Sequence, residues 1–139
     1  MKESTKMMFN LDTLGFKDSA EVHLRHPVED TLLYADEAKK KPVKIDIWGT
    51  ASKEYRTAVN ALQNRQLKRG KKVLTAEQMR EEDVELLVAC SIKAHNLSYK
   101  GMAVDTPEVF RMLYSDDKYT WLKTQVNDAM SAVENFIQA

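Results

Sequence analysis

The hydrophobic period of this chain changes at Gly49, and that change limits the folds open to it. Before Gly49, Val22 and Leu24 alternate with Glu21, His23 and Arg25, and Val43, Ile45 and Ile47 alternate with Lys44 and Asp46. A period of two describes strands with one apolar and one wet face. After Gly49, Tyr55, Val59, Leu62 and Gln66 recur every three or four residues, the period of a helix face. No glycine-rich phosphate loop joins the two patterns. The expected fold is therefore α+β and mainly helical, a small N-terminal antiparallel β-meander followed by about four helices. Residues 1–139 read as a single domain, with an N-terminal segment (1–20), a meander (21–48) and a helical part (52–138).

Local signals set the expected elements. Glu21–His26 reads as the first strand, ended by Pro27, and Glu29-Asp30 as a turn. Thr31–Tyr34 reads as the second strand and Val43–Trp48 as the third, with Pro42 barring a helix from entering it. Three short strands cannot stand alone, so they must pack on the helices. Ser52 is a predicted N-cap for a helix over Lys53–Arg69, and Gly70 its stop. Thr75 opens a second helix with a capping box completed by Gln78. Its stripe of Met79, Val84, Leu87, Val88, Ser91 and His95 carries that helix to about Asn96. A connector follows, with a hairpin turn at Lys100-Gly101. Thr106 and Pro107 start a third helix running to Tyr114. Ser115 or Asp116 caps the last one, whose expected buried face is Leu122, Val126, Ala129, Met130, Val133, Phe136 and Ile137. In residues 1–20 a turn of helix or an edge strand is expected around Phe9–Phe16.

A chain of 139 residues suits one domain and can bury a core without metals or disulfides. The lone Cys90 cannot make an intrachain bridge, which favours a reducing compartment. No apolar run approaches the ~20 residues that span a bilayer, and the first residues lack the apolar stretch of a signal peptide. Net charge is zero but divided. Residues 1–74 hold 15 Lys/Arg against 10 Asp/Glu, and residues 75–139 hold 6 against 11. Such a dipolar chain is suited to head-to-tail association, hence an expected homo-oligomer.

The sequence holds no catalytic set, and no metal and no cofactor are expected. His23 and His26 fall on opposite faces of a regular strand and have no neighbouring ligands at zinc spacing. His95 lies five residues beyond Cys90, a poor helical alignment for a nucleophile and its base. Cys90, among Val88, Ala89 and Ile92, reads as a small buried hydrophobe. Of the acidic run, only Glu81 and Glu85 share a helix face, and they read as solvated. Arg65, Lys68, Arg69, Lys71 and Lys72 form a basic patch that could meet phosphates, so a small nucleic-acid-binding regulator is one reading. The neutral chain and the absence of a recognised motif weigh against it. Seven methionines supply adaptable apolar groups.

The order and spacing of these pieces resemble the tail assembly chaperones of long-tailed siphophages. The shared features are R-H-P at Arg25–Pro27, the apolar-x-apolar run at Ile45–Ile47 and S-x-E-Y-R at Ser52–Arg56. They continue with N-R-Q-L-K-R at Asn64–Arg69, E-L-L-V-A-C at Glu85–Cys90, T-P-E-V-F-R-M-L-Y at Thr106–Tyr114 and a final amphipathic helix ending at Asn135–Ile137. The family's usual Trp after the second helix is absent, and Lys39-Lys40-Lys41 lengthens a turn that is tighter in related chains. The resemblance implies a non-enzymatic protein of the infected host cytoplasm. It would bind the tape measure protein and keep it soluble. It would also help the tail tube protein polymerise, and would be absent from the finished virion. A longer form made by frameshifting is common in the family, and this chain would be the short one. With that partner in view, Met102, Met112, Tyr114 and Trp121 are the candidate apolar contacts.

Overall fold

The computed structural model describes residues 7–70 and 72–138. A 3-10 turn at Leu11–Thr13 leads into β1 (Gly15–Phe16), β2 (Ser19–His23), β3 (Lys44–Trp48), α1 (Lys53–Arg69) and α2 (Ala76–Cys90). Then come β4 (Ser91–His95), β5 (Ser98–Tyr99), β6 (Met102–Ala103), α3 (Pro107–Ser115), α4 (Thr120–Ser131) and β7 (Ile137–Gln138). Further 3-10 turns occupy Asp117–Tyr119 and Val133–Asn135. The fold is α+β, with four α-helices among the described residues, as the change of period implies.

The main sheet differs from the expected meander in its membership. Its order is β2-β3-β4, antiparallel throughout, so its third strand comes from beyond the second helix. Thr31–Tyr34 forms only isolated bridges, Arg25 to Leu32 and Tyr34 to Pro42. The expected first strand likewise stops at His23, because His26 folds into the turn, where its Nδ1 accepts from the Val28 and Glu29 N–H groups at 3.2 and 3.1 Å. Asp30 and Lys39, both at positive φ, sit in the turns on either side of Thr31–Tyr34, and Leu33 is bonded on both sides, donating to Leu24 O at 2.9 Å and accepting from Val43 N at 3.0 Å.

The expected end of the second helix at Asn96 is also corrected. Helix α2 stops at Cys90; Ser91 turns to extended dihedrals and its Oγ donates back to Leu87 O at 2.7 Å. The chain then pairs with the open edge of β3. That pairing satisfies backbone groups as well as a helix would, and it buries Ala94 beside Ile45.

Most local signals hold, but the expected cap of the last helix does not: Asp116 caps the 3-10 turn Asp117–Tyr119, accepting from Lys118 N, and α4 starts only at Thr120, behind Tyr119, with no side-chain cap. Ser52 Oγ caps α1 by accepting from Tyr55 N at 3.1 Å, and both halves of the Thr75–Gln78 capping box are present. Lys100 and Gly101 both take positive φ, 48° and 78°, the two-residue turn that joins β5 to β6. Thr106 caps α3 with Pro107 at its first position.

The core joins the inner face of the sheet (Leu24, Val43, Ile45, Ile47, Ala94) to α2, α3 and α4. Gln125 of α4 clamps the end of the first strand segment, accepting from Arg25 N and donating to Arg25 O, each at 2.9 Å. The last helix is shorter than expected. It ends at Ser131, leaving Val133 58% exposed instead of buried. After this break Phe136 turns inward, 2% exposed, against Gly49 and the Phe16 ring.

Candidate functional site

Three surfaces collect the chemistry-bearing residues. The first is a cleft of about 590 Å³ where the C-terminal end of α1 meets α2 and α3. Arg65 and Arg69 face Glu81, Glu82 and Glu85 there, with Arg111 closing the far side. Arg69 forms an ion pair with Glu82, and Arg111 grips Glu85 with two N–H donors, one of them Nη2 to Oε2 at 3.2 Å. The Arg111 hydrogen bonds hold the Glu85 carboxyl below its ordinary range, against an opposing push from burial. The predicted basic patch is therefore divided. Arg69 is neutralised across the helix pair, whereas Arg65, which lines the cleft, is exposed like Lys68 and Lys72. Lys71 lies outside the described residues.

The second set of residues is apolar. Of the four predicted contacts, Met102 and Met112 are 38% and 43% exposed, as a partner-binding role requires. Tyr114 does not fit that expectation. It is buried, its hydroxyl shares a 2.7 Å hydrogen bond with Ser91 Oγ, and burial pushes its phenol far upward. Trp121 is half-buried against the core. The apolar run that most lacks cover was not among the predicted contacts. Met7, Met8, Phe9 and Leu11 are all more than two-thirds exposed, and Leu14 and Phe16 follow at 45% and 49%. The signal was present as six large apolar residues within ten positions. Its weak helical and strand pattern hid its meaning.

The third surface is the outer face of the main sheet. Register sets Glu21 opposite Asp46 and Lys44 opposite His95, with Ile45, Ile47 and Ala94 on the inner face. His95 Nε2 lies 2.8 Å from Asp46 Oδ2. Glu21, Asp46 and His95 can each bring one donor atom within 4.8 Å of the others. Lys44 Nζ sits 3.5 Å from Glu21 Oε2. No sequence-local spacing could reveal this trio, because its members come from three strands and the spacing of His95 from Ser91 and Leu87 is that of a helix face.

The remaining predicted groups are structural. His23 Nε2 bonds Leu33 O at 2.8 Å and its ring meets Tyr34 edge-on. Cys90 is fully buried, and burial pushes its thiol to about 11, with the Glu54 charge adding to the shift. A thiol so protonated is a core group and a poor nucleophile. No helix among the described residues is long and apolar enough to cross a membrane. No protein-family model, no curated protein and no solved structure matches the chain.

Proposed function

We propose that this chain is a tail assembly chaperone of the siphophage type. In this reading it acts in the host cytoplasm and binds apolar segments of a tape measure protein while the tail tube protein assembles. The order of motifs from Arg25 to Ile137 motivates this reading. The observation that carries it is the exposure of large apolar side chains, at Met102 and Met112 and along the run from Met7 to Phe16. Six large apolar side chains exposed within ten positions supply apolar material that an interaction partner can cover. Flexible Met side chains suit a surface that accepts varied apolar sequences. Tyr114 leaves the set of contacts because it is core, and Trp121 contributes through packing. The nucleic-acid alternative is weaker, since Arg69 and Arg65 already face carboxylates.

Co-expression with a tape measure protein tests the reading. The wild-type chain keeps that partner soluble, and the double variant Met102→Asp/Met112→Asp, or Phe9→Asp/Leu11→Asp in the N-terminal run, loses the effect with the fold intact. A wild type that never solubilises the partner, or that instead shifts DNA or RNA at physiological salt, overturns it.

A further inference from the structure

The geometry points to a binding site for a divalent transition-metal ion of the zinc class, formed by Glu21, Asp46 and His95 on the outer face of the main sheet. The three donors already lie within 4.8 Å of one another. Ligands held at ~2.0–2.2 Å from a common zinc ion stand about 3–3.5 Å apart, so closing the set needs only a small swing. Glu21, the most exposed of the three, has the long side chain to make it.

The backbone beneath the site is fixed. Glu21 and Asp46 are direct cross-strand partners, and His95 lies diagonally from Asp46 on the next strand. Donors on three paired strands share one rigid frame, whereas donors on a loop must first be ordered.

A second observation concerns the Asp46 carboxylate itself. Its Oδ2 meets His95, but its Oδ1 is shut off from solvent with no hydrogen-bond partner. A carboxylate oxygen without water or a donor is unfavourable, and a cation bound by both oxygens of Asp46 would satisfy it. Two carboxylate oxygens and one imidazole nitrogen form a borderline donor set, which favours zinc or manganese over magnesium or calcium with their all-oxygen shells.

The competing arrangement is a simple charged sheet face. Lys44 holds Glu21, and Lys93 stands across from Asp46. The Lys44–Glu21 pair is partly exposed, with the Glu21 side chain 59% open to solvent, and such pairs are weak and screened, so the ion can displace it. An ion here would tie β2, β3 and β4 together and stabilise the fold through binding to the native state alone.

Calorimetric titration of the chelator-treated full chain with zinc chloride tests the site. One saturable equivalent per chain is expected, with a zinc-dependent rise in melting temperature and no response to magnesium. His95→Gln and Asp46→Asn should each weaken binding by at least about tenfold with unchanged circular dichroism. Lys44→Gln should tighten it. In the wild type, the His95 ring signals should shift in NMR spectra before those of His23 and His26. Absence of saturable binding, undiminished affinity in the His95 and Asp46 variants, or first perturbation at His23 or His26 would overturn the assignment.

Discussion

Helices α1 and α3 make opposite use of similar chemistry. The first is 17 residues long, well capped at both ends, and buries no side chain completely. The second has nine residues and buries Val109, Phe110, Leu113 and Tyr114. Helix α1 lies along α2 with Tyr55, Val59 and Leu62 only half covered, while Leu67 points outward at 79% exposure. Helix α3 drives Phe110 and Tyr114 into the core, their ring centroids 5.6 Å apart. Caps and propensity decide where a helix begins and ends. How much of it the fold depends on is decided by which neighbours remain to cover it. The molecule thus divides into a keel, formed by the sheet with α2, α3 and α4, and an outlying part formed by α1 and the N-terminal apolar run.

The most severe test of that division is a charge inside the keel. Val126 of α4 is 0% exposed, so Val126→Asp strands a carboxylate in the core at a cost of several kcal/mol, comparable to the ~5–15 kcal/mol of a typical domain. It should abolish cooperative unfolding. Val133→Asp, beyond the end of the same helix and largely exposed, should leave the thermal midpoint nearly unchanged. Equal damage from the two would place Val133 in the core and restore the longer helix that the sequence pattern suggested.

Next comes a direct comparison of the two helices. Phe110→Ala should cost ~3–5 kcal/mol through lost burial and the cavity left behind. Leu67→Ala should stay within about 0.5 kcal/mol, as expected of an exposed site. Denaturant titration of both variants measures the contrast. A large loss at Leu67 would mean that α1 is covered in solution, by a second copy or another partner.

What the sequence reveals, and what it hides, follows the same physical line. Ser52, Thr75 with Gln78, Thr106 with Pro107, and Lys100-Gly101 act within a few residues of themselves, so their elements were legible. The segment Ser91–His95 was not. Ser91 and His95 continue a helical spacing from Leu87, and only the free edge of β3, about fifty positions away, makes a strand the better outcome. Thr31–Tyr34 has strand composition, and it pairs on both sides, but only through single bridges between the turns at Asp30 and Lys39. The two misreadings concern the same sheet. Together they hid the Glu21–Asp46–His95 trio, since a site built by strand register cannot be seen before the register is known. Tyr114 shows the opposite case: on a short helix it is an expected exposed apolar contact, yet the fold buries it, with its hydroxyl on Ser91 Oγ.

Gly49 tests the joint between the two parts. A Cβ at this position would lie 2.7 Å from Phe136 Cε1, well inside contact distance. Gly49→Ala must push the ring, and with it the packing of the C-terminal segment, at a cost of ~1–3 kcal/mol. Pairing the variant with Phe136→Leu should recover part of the loss, because the obstructing ring is gone. If Gly49→Ala alone is neutral, the C-terminal segment is not held against the start of α1.

The smallest expected effect lies at the Glu85–Arg111 contact, which ties α2 to α3 at the rim of the mixed-charge cleft. The Glu85 carboxyl titrates below its ordinary value of 4.5, chiefly because Arg111 hydrogen-bonds the ionised form. A carboxylate with a depressed folded-state value stabilises the fold above its unfolded value. That contribution disappears as pH falls through the lowered folded value. Both side chains are substantially exposed, so solvent screens most of the interaction. Glu85→Gln should therefore be slightly less stable than wild type at neutral pH. The gap should close in acid below the carboxylate range, where the wild-type group is itself neutral. Denaturant midpoints of the two proteins across that range read the difference directly. A gap that persists unchanged into strong acid would mean that the loss came from altered packing and not from charge, and the α2–α3 contact would then owe nothing to this ion pair.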